Sequence, residues 1–295
     1  MVNSIKRYNE RQSELTKALE FKNDELTETE KDLRRANEEL VNTETAKEEF
    51  LSMISHELKT PLTPLKMYAE MLLKTKSVGE LNEKQIKAMK MILRSISKLE
   101  LLINDIFDVY KLDIGKLKLN KKVIQVASLV KENIPELELL MRDKQIQFDV
   151  KIIPPSEKVN VLCDPRRVGQ VLANLIKNSV DFVPEKGGRI TIKTEADYSK
   201  QINDGNSNYI VFTIEDNGSG IPFEKITNLF KKFYQVDTST KRKRGGTGLG
   251  LAICKGIVEG HGGKIWVYTK HTQGTSIKFT LPIADSTAAS QNDNS

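Results

Sequence analysis

Apolar residues recur every seven positions between residues 15 and 50. The strong seam of this repeat is formed by four leucines: Leu19, Leu26, Leu33 and Leu40. The second seam is weaker and partly polar, and consists of Leu15, Lys22, Thr29, Ala36, Thr43 and Phe50. One strong and one weak seam predict a parallel coiled coil of modest stability. Because a lone helix would leave the leucines in water, the pattern favours pairing with a second copy.

The helical pattern continues beyond the heptads. Residues 1–60 contain no Gly or Pro, and apolar residues at helical spacing resume after Pro61. A proline inside a helix bends it rather than ending it. We expect a turn over 76–80 and then a second amphipathic helix with apolar residues from Ile86 to Tyr110. Such a hairpin buries its apolar faces best in a four-helix bundle with a second copy.

The pattern changes after Gly115, where short strand-like runs alternate with helical segments. The predicted strands cover 146–150, 189–193, 209–214, 264–268 and 276–281, and the predicted helices cover 126–141, 165–181 and 249–260. Mixed strands and helices with one glycine-rich stretch predict an α/β sandwich. The tail after Pro282 is small and polar, which is typical of a disordered segment.

Charge and apolar content argue against some classes of function. The net charge of +6 comes from 46 basic and 40 acidic residues, and no base-reading motif accompanies them. This mixture favours a solvated surface over a nucleic-acid interface. The sequence has no apolar run near the roughly 20 residues that span a bilayer. We therefore expect a cytoplasmic, soluble portion, with any membrane anchor in a segment upstream of it.

We predict packing roles for both cysteines and for two of the histidines. Cys163 and Cys254 have no His or Cys at metal-ligand spacing, which fits a reducing compartment and burial. His261 and His271 lie beside predicted turns and strands, and we interpret both as structural.

His56 has neighbours suited to phosphoryl chemistry. Thr60 shares its helix face one turn later, and Glu57 lies beside it. An imidazole that is largely neutral at pH 7 offers a ring nitrogen as nucleophile, and a carboxylate can stabilise the charge that develops on the ring. An isolated helical histidine is usually only a surface or core residue, so the interpretation depends on the rest of the chain.

Two further blocks carry residue types that bind nucleotides. Asn174 and Asn178 lie on one helical face, and amide oxygens are hard, neutral ligands for Mg²⁺. Asp216 lies in the block that directly follows the predicted strand 209–214, and it can accept a hydrogen bond from the exocyclic amine of adenine. Gly218 and Gly220 let the backbone approach a ligand. Taken alone, the asparagine pair could simply be two exposed amides. The block with Asp216 could likewise be a tight turn that binds no ligand.

A glycine-rich run precedes the last predicted helix. Gly246, Gly248 and Gly250 would expose amide donors at the positive end of the helix dipole, which is a phosphate site. The run is neither a P-loop nor a Rossmann fingerprint, because its spacing matches neither. Residues 241–244 are consecutive cations, usually a solvated loop. Among them, Arg244 is the candidate to contact a triphosphate.

Together these blocks resemble sensor histidine kinases. The matching segments are 55–63 for the family's H box, 170–178 for the N box, 215–222 for the G1 box, 229–234 for the F box and 246–251 for the G2 box. They occur in the family's order. The resemblance implies a dimerisation and phosphotransfer domain followed by an ATP-binding domain like those of gyrase and heat-shock ATPases. The implied domains are 1–48, coiled coil; 49–116, phosphotransfer; 117–284, ATP-binding; and 285–295, disordered tail.

The resemblance also implies roles for single residues. His56 would be the phosphoacceptor, Glu57 its acid/base partner, and Thr60 the hydroxyl that holds a water for hydrolysis of a partner's aspartyl phosphate. Asn178 would bind Mg²⁺, and 221–245 would form a lid over the nucleotide. The implied enzyme is a homodimeric protein-histidine kinase. It uses MgATP and passes the phosphoryl group to the receiver domain of a response regulator.

One position departs from the family pattern. The family often has a basic residue three positions after the magnesium-binding Asn, whereas this chain has Asp181. An acid there should repel phosphate unless it turns outward or helps to hold the metal. A phosphatase-dominant or non-phosphorylating ATP-binding scaffold is therefore an alternative. A gyrase-type or heat-shock-type ATPase is a second one, against which the H box argues.

Overall fold

A computed structural model of the chain describes residues 2–74, 79–197, 208–235, 247–269 and 274–284. The predicted tail over 285–295 and most of the predicted turn over 76–80 lie outside these ranges. The chain forms two compact units, residues 1–96 and 97–295. The domain boundaries expected from the sequence stay a prediction.

Two long helices make up the N-terminal part of the chain. Helix α1 covers Val2–Lys74 and passes through Pro61 and Pro64 without ending, as predicted for Pro61. Helix α2 covers Glu83–Asp113. Its start is fixed by a reciprocal capping box: the Asn82 side chain accepts from the Gln85 N–H at 2.9 Å, and the Gln85 side chain accepts from the Asn82 N–H at 2.8 Å.

Glycine ends α2. Gly115 has φ +65°, a left-handed conformation that glycine adopts without strain. The N–H of Lys116 then donates to the carbonyl of Lys111 at 2.9 Å, which is the Schellman arrangement at a helix C-terminus. The chain is thereby turned from α2 toward the first strand.

The second unit contains two sheets. Its strands are β1 Lys122–Gln125, β2 Gln147–Ile152, β3 Asn160–Cys163, β4 Arg189–Asp197, β5 Tyr209–Asp216, β6 Ile265–Thr269 and β7 Thr275–Pro282. The five-stranded sheet has the order β2-β4-β5-β7-β6, in which β2 and β4 are parallel and the other neighbours antiparallel. Strands β1 and β3 form a separate antiparallel pair.

Helices cover the sheet and complete the core. They are α3 Val126–Asp143, α4 Pro165–Phe182, the short α5 Phe223–Ile226 and α6 Gly250–Gly260, and a 3₁₀ turn covers Ser156–Lys158. Helix α4 starts where the Asp164 side chain accepts from the N–H of Arg167 at 3.1 Å. In the sheet, the rings of Phe212 and Phe279 stack with centroids 4.8 Å apart, and both side chains are fully buried.

The fold class expected from the sequence is confirmed: a helical N-terminal part precedes an α/β sandwich. All five predicted strands and all three predicted helices are present, with ends shifted by a few residues. The sequence did not reveal β1 and β3, because four residues are too few to show a period. Among the helices that the structure describes, none is long and apolar enough to cross a membrane.

Candidate active site

His56 lies on the exposed surface of α1, in the first unit. Glu57 and Thr60 are exposed beside it. The Thr60 hydroxyl donates to the His56 carbonyl at 2.9 Å, so its proton is engaged while its oxygen can still accept. The imidazole is therefore accessible to a phosphoryl donor, with a carboxylate and a hydroxyl close to it on the same helix.

Helix α4 presents the two predicted amides. Asn174 and Asn178 are half-buried on one side of the helix, while its opposite side is packed into the core. A methyl group placed on Gly250 would lie 3.7 Å from Asn174 Nδ2. This nitrogen is buried and has no hydrogen-bond partner within the described part of the chain. The structure thus brings the first amide of the N block next to the glycine-rich turn.

Asp216 ends β5 and is tied to its surroundings through both oxygens. Oδ1 accepts from the backbone N–H groups of Gly218 at 2.9 Å and Thr275 at 3.2 Å, and Oδ2 accepts from the Ser179 hydroxyl at 2.9 Å. Burial raises the pKa of Asp216, and these three hydrogen bonds oppose that shift. The carboxylate is consequently held in one orientation in the absence of any ligand.

The glycines after Asp216 are required by close packing and by backbone conformation. A Cβ on Gly218 would lie 2.8 Å from Asp216 Oδ1 and from the carbonyl oxygen of Phe182, which is too close for any side chain. Gly220 has φ +69°. Because Phe182 is the last residue of α4, the G1 turn packs against the end of the helix that carries the amides.

The glycine-rich turn leads directly into α6. Gly248 has φ +70°, and a Cβ there would lie 2.7 Å from the carbonyl carbon of Phe233. The residue before the helix, Leu249, provides no side-chain cap, so the first N–H groups of α6 keep donor capacity. Arg244 and Gly246 lie outside the described residues, as does the part of the predicted lid after 235.

Two family models match the chain. The model for the His Kinase A (phospho-acceptor) domain matches residues 46–115. The model for histidine kinase-, DNA gyrase B- and HSP90-like ATPases matches residues 163–285. Together they span more than half of the chain and include both the helix with His56 and the unit with Asp216. The chain belongs to the sensor histidine kinase family.

Similar proteins carry the same family name. The sensor protein kinase WalK of Staphylococcus haemolyticus is 33% identical over 240 residues, which is 81% of this chain and 37% of the relative. The circadian input-output histidine kinase CikA of Synechococcus elongatus is 35% identical over 240 residues, 80% of this chain and 30% of the relative. The chain thus spans about a third of the length of these curated relatives.

Solved structures of histidine kinases share the fold. Full-length ShkA in complex with AMPPNP superposes with a TM-score of 0.63 and 25% identity, over 80% of this chain and 46% of that one. The histidine kinase AdeS of Acinetobacter baumannii gives a TM-score of 0.51 at 23% identity and agrees in fold. The second unit therefore has the fold of the ATP-binding domains of this family, and the ATPase family model matches residues 163–285 within it.

The second unit brings several of the predicted nucleotide residues close to one another. Ser179 joins Asp216 to the helix of Asn174 and Asn178, and Asn174 touches the glycine-rich turn. The sequence reasoning missed Ser179 and Thr275, which hold the Asp216 carboxylate. A signal for Ser179 exists in its position directly after Asn178. Thr275 could not be found, because its pairing with Asp216 across β5 and β7 is a long-range contact.

Asp181 lies near a cation. Its Oδ1 is 3.8 Å from the ammonium group of Lys144, the residue that follows the end of α3. Both side chains are partly exposed. The basic residue expected by resemblance at position 181 is thus replaced by an acid whose charge is partly balanced by Lys144.

The described cysteines and histidine outside the site have packing roles, as predicted. Burial raises the pKa of the Cys163 and Cys254 thiols to about 12, so both remain protonated. His261 Nε2 accepts from the Asp164 N–H at 2.9 Å, and Nδ1 therefore donates to the Ile257 carbonyl at 2.8 Å. His271 lies outside the described residues.

Proposed function

We propose that the chain is a kinase core in which His56 is phosphorylated by ATP bound in the second unit. The observation that carries this proposal is the Asp216 carboxylate, which Ser179, Gly218 and Thr275 hold at the end of α4. A fixed carboxylate there suits recognition of the adenine amine. A base bound there would lie close to α4, whose Asn174 lies beside the glycine-rich turn. The uncapped N-terminus of α6 then suits the phosphates.

Phosphoryl transfer would use a short set of groups. A ring nitrogen of His56 forms a bond to the γ-phosphorus, the bond from that phosphorus to the β–γ bridging oxygen breaks, and ADP leaves with the electron pair. The imidazole becomes cationic, and Glu57, the next residue on α1, is placed to take the remaining ring proton. Such transfers depend mainly on positioning and charge stabilisation.

The amide pair of α4 fits Mg²⁺. This ion prefers oxygen ligands and keeps several waters, so two amide oxygens and the nucleotide phosphates form a sufficient set. The Asn174 nitrogen beside Gly250 has no protein hydrogen-bond partner in the described residues. As a donor it suits a phosphate oxygen, whereas the amide oxygens suit the ion. When bound, the ion would neutralise phosphate charge. Asn178, one turn later, would hold it together with Asn174.

Partners follow from the family and from the exposed apolar residues. The heptad leucines of α1 are 57–71% exposed in the single chain, which supports a homodimer joined through the helices. The phosphohistidine would pass its group to an aspartate of a response regulator. The Thr60 hydroxyl, which keeps acceptor capacity, would hold the water that later hydrolyses the aspartyl phosphate.

Labelled ATP tests the proposal. Incubation with γ-labelled ATP should give an acid-labile, base-stable label on the wild-type chain. The His56→Ala variant should acquire no label but still bind ATP, whereas Asp216→Asn should lose ATP binding. Steady phosphate release that survives in His56→Ala would instead indicate an ATPase of the gyrase type. A wild-type chain that binds ATP but takes no label would support the phosphatase-dominant alternative.

A further inference from the structure

The G1 turn, residues 216–221, is held at its far end by a hydroxyl from another strand. The N–H of Ile221 donates to Thr269 Oγ1 at 3.0 Å, and the Thr269 hydroxyl donates to the carbonyl of Gly274 at 3.0 Å. Thr269 is the last residue of β6 and lies 48 residues along the chain from Ile221. One hydroxyl therefore ties the end of the G1 turn to the place where β6 ends and β7 begins.

The start of the G1 turn contacts the same two strands. Thr275, which pairs with Thr269 in the sheet, donates its N–H to Asp216 Oδ1 at 3.2 Å. Gly274 packs closely on the backbone of Asp216, because a Cβ on this glycine would lie 2.0 Å from the Asp216 carbonyl oxygen. The adjoining ends of β6 and β7 thus hold both ends of the turn, at Asp216 and at Ile221.

Between these two contacts the chain passes through two glycines. Gly218 is buried, and Gly220 has φ +69°. A glycine backbone has more conformations open to it than that of any other residue, so fixing it costs more conformational entropy. A turn that is fixed before a ligand arrives avoids this cost during binding. The hydrogen bond at Ile221 therefore preorganises the G1 turn, because it restricts the glycines that precede it.

A second threonine makes a comparable link between β6 and β7 away from the turn. The Thr280 hydroxyl accepts from the N–H of Lys264, the residue before β6, at 2.8 Å. Thr280 pairs with Val211, at the far side of β5 from Asp216, which pairs with Thr275. The two hydroxyls thus join the same pair of strands at opposite ends, and of these two only that of Thr269 bonds to the G1 turn.

We propose that Thr269 is a positioning residue of the nucleotide site, which holds the G1 turn in its binding conformation through the N–H of Ile221. The inference rests on the proposed function, since it requires adenine to bind beside Asp216. Thr269 acts on the part of the site that ATP and ADP share. Loss of its hydroxyl therefore weakens the binding of both nucleotides by the same factor, because the glycines of the turn must then be ordered when either one binds.

The test compares four forms of the full chain: wild type, Thr269→Val, Thr269→Ser and Thr280→Val. Valine keeps the shape of threonine without the hydroxyl, whereas serine keeps the hydroxyl. Thr280→Val removes a hydroxyl that joins the same two strands away from the turn. Calorimetric titration with MgATP and with MgADP gives the dissociation constants. Hydrogen exchange of the Ile221 amide, followed by NMR in the nucleotide-free protein, reports whether the turn is held.

We expect Thr269→Val to weaken ATP and ADP binding about fivefold each, as for one lost hydrogen bond, and to speed the exchange of the Ile221 amide by a similar factor. Thr269→Ser should restore both quantities to nearly the wild-type values, and Thr280→Val should change neither.

Three results would overturn the inference while leaving the proposed function intact. They are unchanged nucleotide binding in Thr269→Val, weaker binding without faster exchange at Ile221, and an equal loss of binding in Thr280→Val or Thr269→Ser. A wild-type chain that binds neither nucleotide would refute the proposed function, and the inference with it.

Discussion

The two units of the chain treat their apolar residues in opposite ways. In α1, Leu19, Leu26 and Leu33 are between 65% and 71% exposed, although they form a regular heptad seam. In the second unit, the sheet and helices α3, α4 and α6 share one continuous core that includes the fully buried Phe212 and Phe279. The second unit therefore closes its core within one chain. The first unit leaves an apolar seam that a second copy would cover.

Because of this difference, the stability of each unit depends on a different kind of contact. Packing defects should destabilise the second unit at any protein concentration. The helices of the first unit should instead depend on concentration, because association supplies their burial. The following substitutions test the comparison, from the largest expected effect to the smallest.

The largest effect is expected for Phe212→Ala. Phe212 is fully buried and stacks on Phe279, so truncation should lower the free energy of unfolding of the second unit by about 3–5 kcal/mol. Urea unfolding followed by the fluorescence of Trp266 on β6 measures the loss. Nucleotide binding should weaken with it, while dimerisation through the helices should persist.

A matched truncation at the surface controls for this prediction. Phe223 begins α5 and is 87% exposed, so Phe223→Ala should change the unfolding free energy by less than about 0.5 kcal/mol. Similar losses in both variants would mean that the second unit does not depend on its core. Loss of the dimer in Phe212→Ala would mean that the two units are not independent in stability.

The next effect is expected for Leu33→Ala in the heptad seam. If a second copy covers Leu33, the truncation should cost the dimer about 2 kcal/mol, or roughly a thirtyfold increase in its dissociation constant. Sedimentation equilibrium measures that constant. ATP affinity should not change. Lys31→Ala, on the polar side of the same helix, is the control, and an equal effect there would contradict a leucine seam.

Most of the fold could be predicted from sequence, because periodicity encodes which face of an element is buried. The long helices and the five-stranded sheet have clear periods, and even the passage of α1 through Pro61 was predictable. Short elements such as β1 were not, since their structure depends on a partner strand far along the chain. The helix start at Asn82 had a readable signal in Gln85, three residues later.

The candidate site was predictable in its residue types but not in its supports. Asn178, Asp216 and Gly248 follow from local motifs. The hydrogen bonds that the Ser179 hydroxyl and the Thr275 N–H donate to Asp216 come from packing of separate elements, which no local pattern encodes. For the same reason the sequence reveals that Asp181 departs from the family pattern but does not reveal that Lys144 lies beside it.

A smaller effect is expected for Asp181→Lys, which tests whether this residue of the second unit limits ATP affinity. Replacing an acid by the base typical of the family should tighten ATP binding about tenfold, or about 1.4 kcal/mol, because phosphate repulsion becomes attraction. Loss of the pair with Lys144 should cost under about 1 kcal/mol of stability, since both groups are partly exposed. Calorimetric titration with MgATP measures the change.

Glu157→Lys is the matched control for this charge reversal. Glu157 lies in the 3₁₀ turn whose Ser156 contacts Thr194 on β4. Asp216 pairs with Ile190, four residues before Thr194 on the same strand. Glu157→Lys should leave ATP affinity unchanged. An unchanged constant in Asp181→Lys would show that Asp181 does not limit binding, and equal tightening in both variants would point to a general effect of net charge.

The smallest effect concerns pH and His261. Burial lowers the pKa of His261, with Lys121 nearby adding to the shift and Asp164 opposing it. The unfolded chain therefore takes up this proton more readily than the folded one. The resulting stability is complete above the ordinary pKa of about 6.5 and is lost as pH falls toward the lowered value. Protonation would also remove the acceptor for the Asp164 N–H.

The measurement is the slope of unfolding free energy between pH 8 and pH 5 in wild type, His261→Gln and His56→Gln. The slope should be shallower in His261→Gln, because its side chain does not titrate, whereas its stability at pH 8 can differ for packing reasons. His56→Gln makes the same substitution at an exposed position of α1 and serves as the control. Identical slopes in all three proteins would mean that the buried histidine of the second unit does not couple folding to pH.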